Sequence, residues 1–454
     1  MNRNVRLTLI QTALLAVADS IWTGTVLAAF IYIMQRDHAV KNTSVGMVEM
    51  AFGLSQLLSA LPVGYIADKK GRTPMIMVGG VLGILAAFAT AYTVWEATEQ
   101  DIATGTTPAW AMWSLAGCMC AWGITSGIAS GPAQTLYADS IPQGARSKWY
   151  NYLYWTYLAG STVGPAATIV LFRVYGNGWS LRELRTVFLV GLGVELLVSI
   201  PSFLFSDKAA LAEPAAAAAT KEDKGRLKVV EFPTDVGRCI RRCHIPYVMF
   251  AGDVLTAFGS GMTVKFFPLF FKNTLHLDPA DVQTIYVVLK VVMACVSGVG
   301  MAVAKRTGRI PAIVVMSYLG LGCLVAMALC YDTMPTIPIV VLFMVRTALM
   351  NASYPLRESI LMDSVPKDQR ARWKSLDSVS KFGWCGSAAL GGYMSDRFGY
   401  TFTFFITAGL QFVGVSTLWL IAHTVPREVP LEPAAATAEE TEPLLVDPGD
   451  PLIN

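Results

Sequence analysis

Twelve long apolar segments dominate this chain of 454 residues and leave few folds open to it. A helix that crosses about 30 Å of hydrocarbon needs roughly 20 mostly apolar residues. Charged residues make up only 15% of the chain, against roughly 25% in soluble proteins, so an ordinary soluble enzyme and a basic nucleic-acid-binding protein are excluded. We predict an all-α polytopic membrane protein with twelve transmembrane helices. The predicted spans are 7–34, 44–66, 74–95, 109–137, 150–172, 186–205, 247–271, 280–303, 310–331, 336–362, 375–394 and 402–423.

A polar stretch rich in alanine and proline, residues 207–246, separates the first six spans from the last six. Because domain boundaries fall in such linkers, we predict an N-terminal six-helix bundle in residues 1–206 and a C-terminal six-helix bundle in residues 247–423. Residues 424–454 are rich in proline and glutamate and are expected to form a disordered tail.

Loops on one side of the predicted membrane carry about twice as many Lys and Arg residues as the loops on the other side. This bias places both termini, the linker and the tail in the cytosol. The first span is not a cleaved signal peptide, because it is too long and contains Asp19. The sequence from Glu440 to Leu445 resembles an acidic di-leucine sorting signal, so we expect the plasma membrane or an endolysosomal or vacuolar membrane.

The two halves share a short motif, D-S-[IV]-P followed by basic residues and a tryptophan. Its first copy starts at Asp139 and contains Arg146, and its second starts at Asp363 and contains Arg370. Both copies follow the fourth span of their half. The sequence therefore contains an internal repeat that relates one bundle to the other.

The loop after the second span reads Gly64-Tyr-Ile-Ala-Asp68-Lys-Lys-Gly71-Arg72. It resembles the loop 2–3 signature of the major facilitator superfamily, G-x-x-x-D-[RK]-x-G-[RK], and the span number, linker and repeat agree over residues 5–423. The resemblance implies two pseudo-symmetric six-helix bundles. It also implies a loop that stabilises one conformational state without binding substrate. We predict a conformational latch formed by Gly64, Asp68, Gly71, Arg72, Asp139, Arg146, Asp363 and Arg370.

Span 5 contains Gly160-Ser-Thr-Val-Gly164-Pro165, which resembles the G-x3-G-P core of the family's antiporter motif. The flanking glycines of the fuller motif are missing here. Two interpretations are open: a helix bend that signals antiport, or a seam of small residues that packs closely against another helix beside a proline bend.

Several ionisable residues lie inside the predicted spans, although each costs about 2.5–3.5 kcal/mol there on insertion scales. They are expected to face a partner or a water-filled cavity. The resemblance implies that spans 1, 4, 7 and 10 line a central cavity between the halves. We predict that the proton and substrate cavity contains Asp19, Asp253, Arg346, Glu195, Lys290 and Glu49.

These residues are expected to have different roles. Asp19 is the first candidate for a proton or cation site, with Asp253 as its counterpart in span 7. Arg346 could bind an anionic substrate group or neutralise one of these acids. Glu195 and Lys290 could form an ion pair instead. Glu49 is a candidate gate residue, and Lys265 is expected to extend outward to the interface; these two complete the intramembrane set.

The predicted function is secondary active transport of a small organic solute by alternating access, coupled to protons. An organic-anion symporter or exchanger that uses Arg346, and a receptor that binds a solute without moving it, are alternatives. No nucleotide-binding G-x-x-x-x-G-K-[ST] or G-x-S-x-G motif occurs, so we expect no enzyme activity, no cofactor and no metal. The expected partners are the solute, protons and the lipid bilayer, with no nucleic acid, and the protein is expected to be a monomer.

Overall fold

The computed structural model describes residues 1–141, 146–211, 244–365 and 377–425, apart from the side chains of residues 61, 68, 146–148, 151, 362, 363, 377 and 378. Within these ranges the chain forms helices and turns and no strand. Most of the linker, the tail and Arg370 lie outside the described residues. The same is true of the side chains of Asp68, Arg146 and Asp363.

Twelve spans follow one another in the chain, and three of them consist of two helices each. Eleven helical segments are long and apolar enough to cross a membrane. Span 11 is the twelfth; its content of Gly, Ser and aromatic residues lowers its mean hydropathy. The spans are Arg3–Trp22 with Thr25–Met34, Lys41–Lys70, Thr73–Thr104, Ala109–Asp139, Arg146–Tyr175, Leu181–Ser202, Ile245–Val264 with Phe267–Asn273, Pro279–Thr307, Arg309–Cys330, Thr336–Ala352 with Tyr354–Ser364, Asp377–Phe398 and Tyr400–Ser416.

The broken spans are 1, 7 and 10. Proline lies at the second position of the second helix in span 7, at Pro268, and in span 10, at Pro355. Proline has no N–H and its ring collides with the carbonyl one turn earlier, so the first helix ends before it. In span 1 the break lies at Thr23 and Gly24. Breaks at these places leave backbone groups in the middle of the bilayer, which is tolerated only inside protein or beside a water-filled cavity.

One type of turn recurs in the connections that follow spans 2, 5, 8 and 11. Each helix ends at a glycine with positive φ: Gly71 at 93°, Gly176 at 127°, Gly308 at 99° and Gly399 at 84°. L side chains are strained in this conformation, so glycine is the residue that permits the turn. Gly105 ends span 3 in the same way, with a φ of 68°.

We call the membrane face that carries residues 2–6, 204–211 and 421–425 the terminal face, and the opposite one the distal face. The start of the linker packs on the terminal face: Asn2 donates to the carbonyl of Ala209 at 2.6 Å, and Asp207 accepts from the backbone N–H of Thr73 at 3.1 Å. These hydrogen bonds join the start of the linker to the start of span 1 and to the start of span 3 on the terminal face.

Small residues in span 5 form the seam with span 1. Gly160 lies against Ala16, and Gly164 lies against Ser20 and the backbone of Val17, with no room for a side chain at either glycine. The packing interpretation of this motif is therefore sufficient to explain both glycines. The same close approach fixes the rotation of span 1, on which Asp19 is the neighbour of Ser20.

Candidate functional site

A charged pair joins the two halves in the membrane interior. Nζ of Lys265, at the break in span 7, lies 2.8 Å from Oε1 of Glu49 in span 2. Both side chains are largely buried, with 16% and 6% of their surface exposed. Lys265 also lies over the ring of Trp384 in span 11, 4.9 Å from its centroid. The expectation that Lys265 extends outward is wrong, because a buried carboxylate and an aromatic face hold its amino group inside.

Asp19, in span 1, is a second acid near Lys265. It is half-buried and close enough to Lys265 for direct electrostatic interaction. Its neighbours include Tyr157 of span 5 and Glu195 of span 6. Lys265 is thus shared between Glu49, which it contacts, and Asp19, which it faces.

Glu195 is buried beside Asp19 and Trp22. Its Oε2 atom has no hydrogen-bond partner among the described residues, and the nearby indole N–H of Trp22 makes no hydrogen bond of normal geometry either. Two carboxyl groups therefore lie close enough to interact, one of them buried and the other half-buried. We call Asp19, Glu49, Glu195 and Lys265 the central cluster.

Asp253 lies in a different place from Asp19. Asp19 precedes the break of span 1 by one helical turn, whereas Asp253 lies three turns before the break of span 7, toward the terminal face. Asp253 forms an ion pair with Arg357 of span 10. The proposed correspondence between the two acids is therefore wrong in depth, and the structure does not bring Asp253 into the central cluster.

Arg346 lies inside the C-terminal half, with 3% of its surface exposed. Its guanidinium group lies over the ring of Phe267, 5.3 Å from the centroid, and Nη2 donates to Gln411 at 3.5 Å. Nε has no hydrogen-bond partner among the described residues. In this conformation the side chain is enclosed by spans 7, 10 and 12, so its contact with a substrate stays a prediction.

Lys290, in span 8, forms neither a hydrogen bond nor an ion pair with any other described residue. It does not pair with Glu195, which lies with Asp19 in the N-terminal half. The suggested ion pair between these two residues is therefore wrong, because Glu195 lies beside Asp19 and Trp22, and Lys290 pairs with no described residue.

The distal face is closed by contacts between the halves. The carboxylate of Asp396, at the end of span 11, accepts from the backbone N–H groups of Asn42 at 2.9 Å and Thr43 at 2.7 Å, and from both of their side chains. These N–H groups begin span 2 and have no partner in their own helix. Tyr400 adds a hydrogen bond to Asn42 at 2.9 Å. One half therefore caps a helix of the other.

Spans 5 and 8 make the second distal contact between the halves. The Trp179 indole donates to the carbonyl of Leu277 at 2.9 Å, and Asn177 accepts from the N–H of Ala280 at 3.0 Å. Below them, glycines in spans 2 and 11 allow close packing: Gly46 lies against Ala388 and Gly53 against Cys385.

On the terminal face, two ion pairs between described residues each lie within one half. Arg72 forms an ion pair with Asp139 at the end of span 4, and Arg357 pairs with Asp253. Every hydrogen bond or ion pair that joins the halves between described residues lies at the distal face or in the central cluster. The latch assignment stays a prediction, with Arg72 and Asp139 as its described pair.

From sequence, Lys265 was recognised as an intramembrane charge but given an outward orientation, and Asp396 was missed. Lys265 has a local signal, since it directly precedes an aromatic run with Pro268 where a helix must break. Asp396 has a clearer one: Gly392-Tyr-Met-Ser-Asp396-Arg-Phe-Gly399 has the same spacing as the loop signature from Gly64 to Gly71. The motif is thus present at the terminal end of span 2 and at the distal end of span 11.

Two helical bundles that are sealed at one membrane face, with charged groups from both bundles at mid-membrane, define a polytopic membrane transporter. The family model of the Major Facilitator Superfamily matches residues 12–376 and again residues 249–448. The chain therefore belongs to the Major Facilitator Superfamily. A search of curated proteins found no match.

Solved transporter structures have the same fold. A D-xylose–proton symporter is 15% identical with a TM-score of 0.68, over 94% of this chain and 98% of that one. The inward-open xylose transporter XylE from E. coli is 14% identical with a TM-score of 0.65, over 94% and 97%. A bacterial homologue of the human lysosomal transporter Spinster, inward-facing and unoccupied, is 14% identical with a TM-score of 0.63, over 94% and 99%. The predicted fold class, twelve helices in two bundles, is confirmed.

Proposed function

We propose that this protein is a secondary active transporter that moves a small organic solute by alternating access and couples this movement to protons. The observation that carries the proposal is the central cluster, in which one lysine of the C-terminal half is shared between two carboxyl groups of the N-terminal half. Transport requires a site whose charge interactions differ between conformations, and a lysine between two acids provides that difference.

The coupling follows from competition for Lys265. While Asp19 carries a proton, Lys265 stays with Glu49 and the distal face stays closed. When Asp19 loses the proton, its charge attracts Lys265 away from Glu49 and weakens the contact between spans 2 and 7, so that spans 1 and 7 approach each other instead. Glu195, beside Asp19, favours a state in which the two carboxyl groups hold one proton, because two adjacent negative charges repel strongly in a region of low dielectric constant.

We also propose that the terminal face is cytosolic, as the excess of Lys and Arg in its loops indicates. The described conformation is then closed to the outside and open to the cytosol. The proposed location is the plasma membrane or an endolysosomal membrane, and the working unit is a monomer. Because packing accounts for Gly160 and Gly164, the proposal does not depend on the antiporter motif.

The test uses the full chain in liposomes. A thermal-shift screen of metabolites and drugs on purified protein first identifies solutes that stabilise it, and their flux is then measured with and without an imposed pH gradient. We expect the gradient to drive accumulation. Asp19→Asn should abolish accumulation but preserve binding and thermal shift, because the amide cannot take up a proton.

The matched control is Asp281→Asn, which changes an exposed aspartate at the distal end of span 8. It should accumulate solute as the wild type does. If flux does not respond to the pH gradient, proton coupling is wrong. If solutes bind and no flux is seen under any gradient, the receptor alternative is correct and the transport proposal is not.

A further inference from the structure

The two halves contribute opposite charge to the interior of this protein. In the N-terminal half, Asp19 and Glu195 are acids with no cation of their own half beside them. In the C-terminal half, Lys290 and Arg346 are cations that form no ion pair with any described residue. The ion pair that joins the halves between described residues, Glu49 with Lys265, leaves this imbalance in place.

Lys290 lies on the inner side of span 8. Tyr286, one turn before it, packs edge-to-face on Phe343 of span 10, with ring centroids 6.1 Å apart. Phe343 in turn contacts Phe267 of span 7 at 4.7 Å. The most exposed side of span 8 is a different one, marked by Val288 and Val291, of which 42% and 58% is exposed. Because residues four apart share one side of a helix, Lys290 lies on the same side of span 8 as Tyr286, the side that meets span 10.

A half-buried ammonium group without a counter-ion is costly inside a bilayer. Membrane proteins keep such groups where they pair with each other, with backbone carbonyls or with a transported species. No described carboxylate forms an ion pair with Lys290. A bound anion can supply the counter-ion that the described residues do not.

We infer that the transported solute carries an oxyanion group, a carboxylate or a phosphate ester, which pairs with Lys290. This inference rests on the proposed function and specifies its substrate class. The anionic end of the solute lies against spans 8 and 10, with Arg346 adding positive potential behind it. The rest of the solute extends toward the central cluster, so that the solute and the proton occupy opposite walls.

The experiment measures binding before transport. Purified full-length protein is screened by thermal shift against benzoate, aliphatic mono- and dicarboxylates and sugar phosphates, each beside its carboxamide or its unphosphorylated sugar. We expect stabilisation by oxyanions and none by their neutral partners. Lys290→Gln should weaken the apparent affinity at least about tenfold, as loss of a charge-assisted contact predicts. Lys290→Arg, which keeps the charge, should restore most of it.

The control is Lys305→Gln, the same substitution at an exposed position of span 8. It should bind the oxyanions with wild-type affinity. Because Lys290 has no described partner, Lys290→Gln without solute should unfold at the same temperature as the wild type or above it. A clear fall would show that Lys290 has a structural partner, which would overturn the inference.

Equal stabilisation by oxyanions and by their neutral partners overturns the inference, as does the absence of any oxyanion that stabilises the protein. Stabilisation by carboxylates alone or by phosphate esters alone identifies which group the site accepts, and either result supports the inference. If Lys290→Gln leaves the flux of a solute unchanged, the transport proposal stands and this inference is wrong. If binding depends on Lys290 and no flux of the solute is seen, this inference stands and the transport proposal is wrong.

Discussion

Lys265 shows how one side chain can connect chemistry to conformation. Its amino group contacts Glu49 at 2.8 Å, faces Asp19 and lies over the Trp384 ring. Removal of one partner from a buried pair leaves the other charge uncompensated, which is far more costly than the net contribution of the pair. The stability of the closed distal face should therefore depend on both members of this pair.

We predict that the losses of stability caused by Lys265→Met and by Glu49→Gln are not additive. A double-mutant cycle measures this. Lys265→Met strands a buried carboxylate and should lower stability by about 3 kcal/mol. The double variant should recover more than half of that loss, because no stranded charge remains. Unfolding monitored by scanning fluorimetry gives the measurement. Arg36→Gln, which removes an arginine with 54% of its side chain exposed from its pair with Asp101, is the control and should cost less than about 1 kcal/mol. Strict additivity in the cycle would refute the coupling.

At the scale of elements, helix packing positions the charged groups. The seam between spans 1 and 5 brings backbones into contact at Gly160 and Gly164, so span 1 cannot rotate and Asp19 stays directed toward Lys265. Small residues are common at such membrane seams because apolar helices gain little from the hydrophobic effect in lipid and depend on close packing.

We predict that Gly164→Leu destabilises the protein by about 2 kcal/mol, since overpacking forces the two helices apart. Thermal unfolding measures this change, and the loss of pH-driven flux should accompany it. The matched control is Val163→Leu at the adjacent position, where 54% of the side chain is exposed, and it should be neutral. If both variants unfold at the wild-type temperature, the seam does not have the role given to it here.

At the scale of the whole molecule, the question is which face is closed. Asp396 and Asn42 are 354 residues apart in sequence, yet the carboxylate of the first accepts the N–H groups that begin the helix of the second. A negative charge at a helix N-terminus is favourable because the unpaired N–H groups carry partial positive charge. The cap exists only while the distal face is closed, so it stabilises that state alone.

We predict that Asp396→Asn shifts the population toward the distal-open state by about 5- to 30-fold, as loss of about 1–2 kcal/mol implies. Double electron–electron resonance between labels on unnatural amino acids at positions 104 and 333, in distal loops of opposite halves, would show a larger long-distance fraction. Asp37→Asn, an exposed distal aspartate that bonds only within its own half, should leave the distances unchanged. An unchanged distribution for Asp396→Asn would contradict the trans-half cap.

The sequence by itself determined the twelve helices and their membrane environment, and it indicated the family through the residues from Gly64 to Arg72. These features are local: a backbone in lipid must satisfy its own hydrogen bonds, and about 20 apolar residues in a helix achieve this. Most predicted spans lie inside the observed helices, which extend further at their ends.

Only the tertiary structure decided which charges meet. From sequence, Asp253 was the counterpart of Asp19 and Lys290 a partner of Glu195, yet Asp253 pairs with Arg357 and Glu195 faces Asp19. Partners of this kind depend on the depth and rotation of helices that are far apart in the chain. Hydropathy reports neither, because it records that a segment is buried in the membrane and not which of its sides meets another helix.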